Sequence, residues 1–216
     1  MTALKFPKAA DSADQRREHI ARSAARLIAS DGLEALTMRS VATTAGCSRG
    51  LVEHYFKNKE GLVNAADAWV NSQTVERASK AISKKKGLEA LEIRLRHILP
   101  FTSTILDEWR VRVVFWRKFS VTEMQAAGET VPFEPVFTAI LEDISAAQEA
   151  GEVPANLNAS LIAEFVLFNI TGISCLCLSD TRLRSKASLE ERVQMTLAML
   201  RSGNLADVQF SKLGMY

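Results

Sequence analysis

The chain has 216 residues, of which 47% are hydrophobic and 24% charged, with a formal net charge of +2; that balance belongs to a folded globular protein and excludes wholesale disorder. The charge is unevenly placed: residues 1–60 carry ten Lys/Arg against seven Asp/Glu, and the rest seventeen against eighteen, so the small positive excess sits in the first sixty residues. No basic and apolar leader opens the sequence, and the most apolar run, Leu161 to Leu178, is interrupted by Glu164, Asn169, Thr171 and Ser174; the expectation is a cytoplasmic protein with no membrane contact, in which that run is a buried helix.

Apolar residues recur at three and four positions almost throughout, and no stretch alternates as a strand does, so the fold class is all-α with about nine helices. The first is expected from Ser12, which has capping-box spacing to Gln15, through Ile20, Ala24, Leu27 and Ile28 to a stop at Gly32. Thr37 caps a short second helix with Val41, Ala42 and Ala45 inward. Gly46 breaks it, and Ser48 caps a third helix that can bury Val52 and Phe56. Asn58 caps a long fourth helix on Leu62, Ala65, Ala66, Trp69 and Val70. It is expected to end near Lys84, Lys85 and Lys86, whose charges suit a helix C-terminus, with Gly87 as the stop. Leu88 to Leu99 reads as a fifth helix stopped by Pro100, and Leu106 to Trp116 as a sixth. A seventh follows Pro132 and closes at Gly151 and Pro154. Asn158 and Ser188 are expected to cap the last two. Three regions follow from this order: residues 12–60, residues 61–203 and a C-terminal tail, 204–216.

The second and third helices are joined by three residues, Ala45-Gly46-Cys47, the tight reversal of a helix-turn-helix. Such a unit lays its second helix in the DNA major groove. Arg49 can then fork to guanine O6 and N7, and Gly50 lets backbone approach closely, at a helix cost of about 1 kcal/mol relative to alanine. Leu51 can touch a thymine methyl or finish the local core. Thr37, Arg39, Ser48, His54, Tyr55 and Lys59 are candidate phosphate contacts. Glu53 either accepts from cytosine N4 or turns to a neighbouring arginine; its charge excludes a phosphate.

The runs Thr37-Met38-Arg39-Ser40-Val41-Ala42, Ala45-Gly46-Cys47-Ser48-Arg49-Gly50 and His54-Tyr55-Phe56-Lys57-Asn58-Lys59-Glu60-Gly61-Leu62 resemble the TetR family of one-component regulators over about residues 14 to 65. The stretch His54-Tyr55-Phe56 is similar to the choline-responsive, betaine-synthesis repressors within it. Glu53 departs from the family's pattern, where tyrosine is common. The resemblance implies an Ω-shaped homodimer on a palindromic double-stranded operator, joined through the last two helices. It also implies that the intervening helices enclose a pocket for a small-molecule effector that releases the repressor.

Residues 66–203 hold no phosphate loop, nucleophile elbow or metal-spaced cluster, so no enzyme activity, catalytic residue, metal or cofactor is expected. The aromatics from Trp109 to Phe119 form either a ligand wall or plain core. The pocket candidates are Trp109 and Trp116, with His97, Phe137 and Phe168 behind them. Phe165, Phe168 and Gly172 on the eighth helix and Val193, Leu197 and Leu200 on the ninth form either a dimer interface or an internal packing surface. Cys47, Cys175 and Cys177 are expected as reduced, packed thiols. A helical enzyme or carrier, or an adaptor for another protein, are the competing readings.

Overall fold

The computed structural model describes residues 12–118 and 133–203. The expectations for Phe119, for Pro132 and for the tail 204–216 lie outside them. Among the described residues there are nine α-helices and no strand: α1 (Ala13–Asp31), α2 (Met38–Ala45), α3 (Arg49–Tyr55), α4 (Lys59–Ile82), α5 (Gly87–Ile98), α6 (Ser103–Lys118), α7 (Glu134–Glu149), α8 (Ala159–Ser179) and α9 (Lys186–Ser202), with a 3₁₀ turn at Thr181–Arg184.

The helix starts obey local chemistry. Ser12 and Gln15 form a reciprocal capping box, Gln15 N–H donating to Ser12 Oγ at 3.2 Å and Ser12 N–H to Gln15 Oε1 at 2.8 Å. Asn158 Oδ1 accepts from the amides of Ser160 and Leu161. Three boundaries differ from expectation. α9 is capped by Ser185, whose Oγ accepts from Ser188 N–H, so Ser188 lies inside the first turn. α4 ends at Ile82, where Ser83 takes φ +53°. Gly87 does not stop α4; it begins α5 at φ +61°, and a Cβ there would lie 2.3 Å from Glu152 Oε2. Leu88 N–H donates to that same carboxylate oxygen at 2.8 Å, so the N-terminus of α5 is capped from 64 residues away, a partner that spacing cannot reveal.

The chain divides into two compact units, one within Met1–Thr74 and Ser103–Pro132, the other within Val75–Thr102 and Phe133–Tyr216. The division differs from the expected boundary after residue 60 because α4 and α6 complete the first core. Ile20, Ala24 and Ile28 of α1 pack with Leu36, Val41, Val52, Phe56, Leu62, Val63, Ala66 and Val70, and with Val111 and Phe115 of α6. In the second unit, α5, α7, α8 and α9 bury Leu91, Leu95, Ile140, Ile144, Ala163, Val166, Leu189 and Leu197. A forked ion pair pins α5 to α7 inside it, Arg94 Nε to Asp143 Oδ2 at 2.6 Å and Nη2 to Oδ1 at 3.1 Å. Burial pushes the Asp143 carboxyl up against the lowering effect of Arg94.

The apolar run expected as a buried helix is only partly buried. α8 spans 21 residues with a mean hydropathy of 2.0, long and apolar enough to cross a membrane by length and composition, and 39% of that window is buried. Leu161, Phe168 and Leu176 are 44%, 67% and 60% exposed, and with half-buried Phe165 and exposed Gly172 they recur at three and four residues along one side. On α9 the expected interface residues Val193, Leu197 and Leu200 are fully buried by their own chain. They are core, and the outward apolar residue of that helix is Met195, 55% exposed. All three cysteines are free, and burial pushes each thiol up.

Candidate nucleic-acid interface

α2 is set by a second capping box. Thr37 Oγ1 accepts from Ser40 N–H at 3.0 Å and Ser40 Oγ accepts from Thr37 N–H at 2.9 Å; the Ser40 hydroxyl can donate to Ala35 O at 2.7 Å. The helix stops at Gly46, which takes the left-handed conformation with φ +70° and ψ +34°, a geometry glycine adopts without steric cost. Cys47 N–H then returns to Ala42 O at 3.0 Å, and Ser48 Oγ receives Leu51 N–H at 3.2 Å to open α3. One contact the sequence reading missed holds this turn: His19 Nε2–H of α1 donates to Ala45 O at 3.0 Å, across 26 residues. Its carbonyl partner ends α2, where free carbonyls need donors.

Val52 is fully buried and Phe56 nearly so, which fixes the rotation of α3 and turns Arg49, Gly50, Glu53 and His54 outward as exposed residues. Leu51 and Tyr55 are half-buried; Tyr55 packs on the first core and meets the His54 ring edge-to-face at 5.1 Å. A Cβ on Gly50 would meet nothing within 4 Å, so no neighbour within the chain demands glycine there. Glu53 has turned to its arginine: Arg49 Nε donates to Glu53 Oε1 at 2.7 Å, with both side chains well exposed. An exposed i, i+4 pair is worth roughly 0.3–0.5 kcal/mol, little enough for a base or phosphate to displace it.

The phosphate candidates divide by what their groups already do. Ser48 spends its lone pair on the Leu51 amide and keeps its hydroxyl hydrogen for an outside acceptor. Thr37 donates to Ser40 Oγ at 3.0 Å, so its hydroxyl is engaged within the box. Arg39 is exposed, and Lys59 is half-buried at the start of α4, where Asn58 Oδ1 accepts from Gly61 N–H at 2.8 Å. Arg17, exposed on α1, lies with its guanidinium 5.2 Å from the Phe56 ring centre; this neighbour of the α3 end is another cation that motif reading did not select.

The expected ligand residues fall in different places. Trp109 is buried and Trp116 half-buried in the first unit, edge-to-face at 5.8 Å. Beside them runs a buried polar seam. Arg112 lies 5.1 Å over the Trp109 ring, and donates to Asn71 Oδ1 at 3.0 Å and to Thr74 Oγ1 at 2.5 Å. Thr74 in turn donates to Glu108 Oε2 at 3.1 Å. Asp67, 2% exposed, receives Asn71 Nδ2–H at 2.8 Å. Burial pushes its carboxyl up to about 6, against the lowering effects of Arg112 and Asn71. His97 and Phe137 are half-buried in the second unit. Burial and the Arg77 charge hold the His97 ring below its usual pKa. Phe168, expected in both pocket and interface, faces outward. None of these five lines the cleft of about 680 Å3 that the first unit opens between α1, α4 and α6.

Residues 20–66 match the family model described as bacterial regulatory proteins, tetR family. Over 51 residues the chain is 43% identical to the HTH-type transcriptional regulator BetI of Stenotrophomonas maltophilia, covering 24% of this chain and 26% of that protein. It is 27% identical over 100 residues to the HTH-type nicotine-responsive transcriptional repressor HdnoR of Paenarthrobacter nicotinovorans, covering 46% and 51%. The chain thus spans from about a quarter to half the length of these curated relatives. Among solved structures, a transcriptional regulator from Rhodococcus sp. Rha1 shares the fold with a TM-score of 0.72 and 22% identity over 87% of this chain and 96% of its own. A regulator from Saccharomonospora viridis in complex with choline does so with a TM-score of 0.70 and 19% identity over 86% and 95%. The matched stretch contains α2, the glycine turn and α3 with the packing that orients them, so over residues 20–66 the chain is similar to the bacterial regulatory proteins of the tetR family, and its fold is shared with the solved regulators.

Proposed function

We propose that the protein is a ligand-responsive repressor that binds a palindromic DNA operator as a homodimer in the cytoplasm. The observation that carries this reading is the outward face of α3, where Arg49, Gly50, Glu53 and His54 stand free of the core on a helix locked by Val52, Phe56 and the Ser48 cap. Arg49 leaves Glu53 to fork to guanine, Glu53 is released to a cytosine amino group, and Gly50 admits the backbone. Ser48, Arg39, His54, Tyr55 and Lys59 grip phosphates and set the register; Thr37 joins them by rotating its hydroxyl out of the capping box.

A single α3 reads only a few base pairs, so the reading needs two, spaced about 34 Å apart on one face of the duplex. The apolar side of α8, Leu161, Phe165, Phe168, Gly172 and Leu176, with Met195 of α9, supports an isologous contact between two copies. A small molecule that favours one spacing of the reading heads over another then shifts operator affinity by its differential affinity for the two forms. The names of two similar proteins mention nicotine and choline, which supports an effector of that small size. Trp109 and Trp116 of the first unit, with Asp67 and Arg112 beside them, are its proposed contacts.

Selection of genomic fragments with purified protein at two salt concentrations, followed by footprinting, tests the reading. The expected result is a protected palindrome whose affinity falls steeply with salt, and an Arg49→Ala variant that stays folded but loses about 1–3 kcal/mol of discrimination at one base pair of each half-site. Equal selection by the wild type and Arg49→Ala would overturn it.

A further inference from the structure

The cleft in the first unit encloses about 680 Å3, inside the range of roughly 300–1,000 Å3 that small-molecule sites occupy, and DNA reading gives it no task. One face of α1 forms a wall, with Arg22, Ala25, Arg26 and Ala29 recurring at three and four residues. Trp69 and Val70 of α4 and Val111 of α6 supply an aromatic and apolar lining.

The charges around the cleft are not equally occupied. Asp107 of α6 is ion-paired with Arg110. Glu108 is buried and accepts the Thr74 hydroxyl hydrogen. Arg22 and Arg26 are exposed, and neither guanidinium has a hydrogen bond or ion pair among the described residues. Two like charges at i, i+4 disfavour a helix, and Glu18, one turn ahead of Arg22, forms no ion pair with it. An anion set between the two arginines would turn that repulsion into a shared clamp, since guanidinium forks match the two oxygens of a carboxylate.

We propose that this cleft is a binding site for an organic carboxylate, its anionic head on Arg22 and Arg26 and its apolar or aromatic body against Trp69, Val70 and Val111. Occupancy would tie α1, the helix whose His19 holds the α2–α3 turn, to α6. The assignment goes beyond the operator reading and does not depend on it.

Calorimetric titration of the full chain with 2-naphthoate and with its neutral counterpart 2-naphthylmethanol tests it. Naphthoate is expected to bind at least tenfold more tightly than the alcohol. That advantage is expected to vanish in an Arg22→Gln/Arg26→Gln double variant, while Ala29→Phe, which fills the cleft, weakens both compounds. Circular dichroism checks that each variant keeps the wild-type helix content. Naphthoate binding no tighter than the alcohol, or binding that survives the double variant unchanged, would refute the assignment. No operator enters the measurement, so its failure and that of the DNA reading are told apart.

Discussion

Gly50 lies in the first turn of α3, exposed, with open space where a Cβ would stand. Alanine fits there and favours the helix by about 1 kcal/mol, so glycine is costly to the fold. Gly50→Ala is expected to raise unfolding free energy by about 0.5–1 kcal/mol in a urea titration and to weaken operator binding. A variant that gains stability and keeps full affinity would show that the backbone does not approach DNA at this point. The neighbouring residues mark how far a sequence can be read. Ser48, Thr37 and Gly46 were legible because their partners lie within five residues. The fate of Glu53 was open between two acceptor roles, and the Arg49 contact at 2.7 Å decides it for the DNA-free chain. His19 was invisible because its acceptor, Ala45 O, is 26 residues away.

Between α4 and α6, the seam of Asp67, Asn71 and Thr74 against Glu108 and Arg112 makes stability depend on pH. An ordinary aspartate titrates at 3.8, whereas burial pushes Asp67 to about 6, so between these values the folded chain holds more protons than the unfolded one. Stability from this group is therefore greatest below about pH 4 and is lost as pH rises through 6. The groups facing it are Arg112, whose charge opposes the shift, and Asn71; Glu108 lies further along the seam. Chemical denaturation from pH 4 to 7 is expected to show a downward contribution of about 2–3 kcal/mol that Asp67→Asn removes; an unchanged slope in the variant would place the ionisation elsewhere. Helix type and number were readable from periodicity, yet which apolar face meets what was not. Val193, Leu197 and Leu200 have the spacing of an interface and equally of a core stripe, and their full burial by their own chain settles them as core.

For the whole molecule, the exposed apolar side of α8 predicts self-association. A Phe168→Asp/Leu176→Asp variant is expected to sediment as a monomer with wild-type helix content, since both side chains face outward and removing them opens no cavity. Operator binding is expected to fall by about 10²-fold or more, because two linked heads gain that factor from effective concentration. A variant that keeps the mass of the wild type would move the interface elsewhere. The residues expected to line a pocket were the least legible part: Trp109 and Trp116 belong to one compact unit and His97 and Phe137 to the other, a partition that no spacing in the sequence encodes.

That partition also orders events during synthesis. The unit bearing the helix-turn-helix takes Val111 and Phe115 into its core, so α1 to α3 leave the ribosome some 50 residues before α6, the last helix their core requires. At typical translation speeds of 5–20 residues per second, the interval is about 3–10 seconds. During it the nascent reading head lacks the part of its cover that Val111 and Phe115 supply, which makes this the stage at which a chaperone would be needed and at which a rare-codon pause would do most harm.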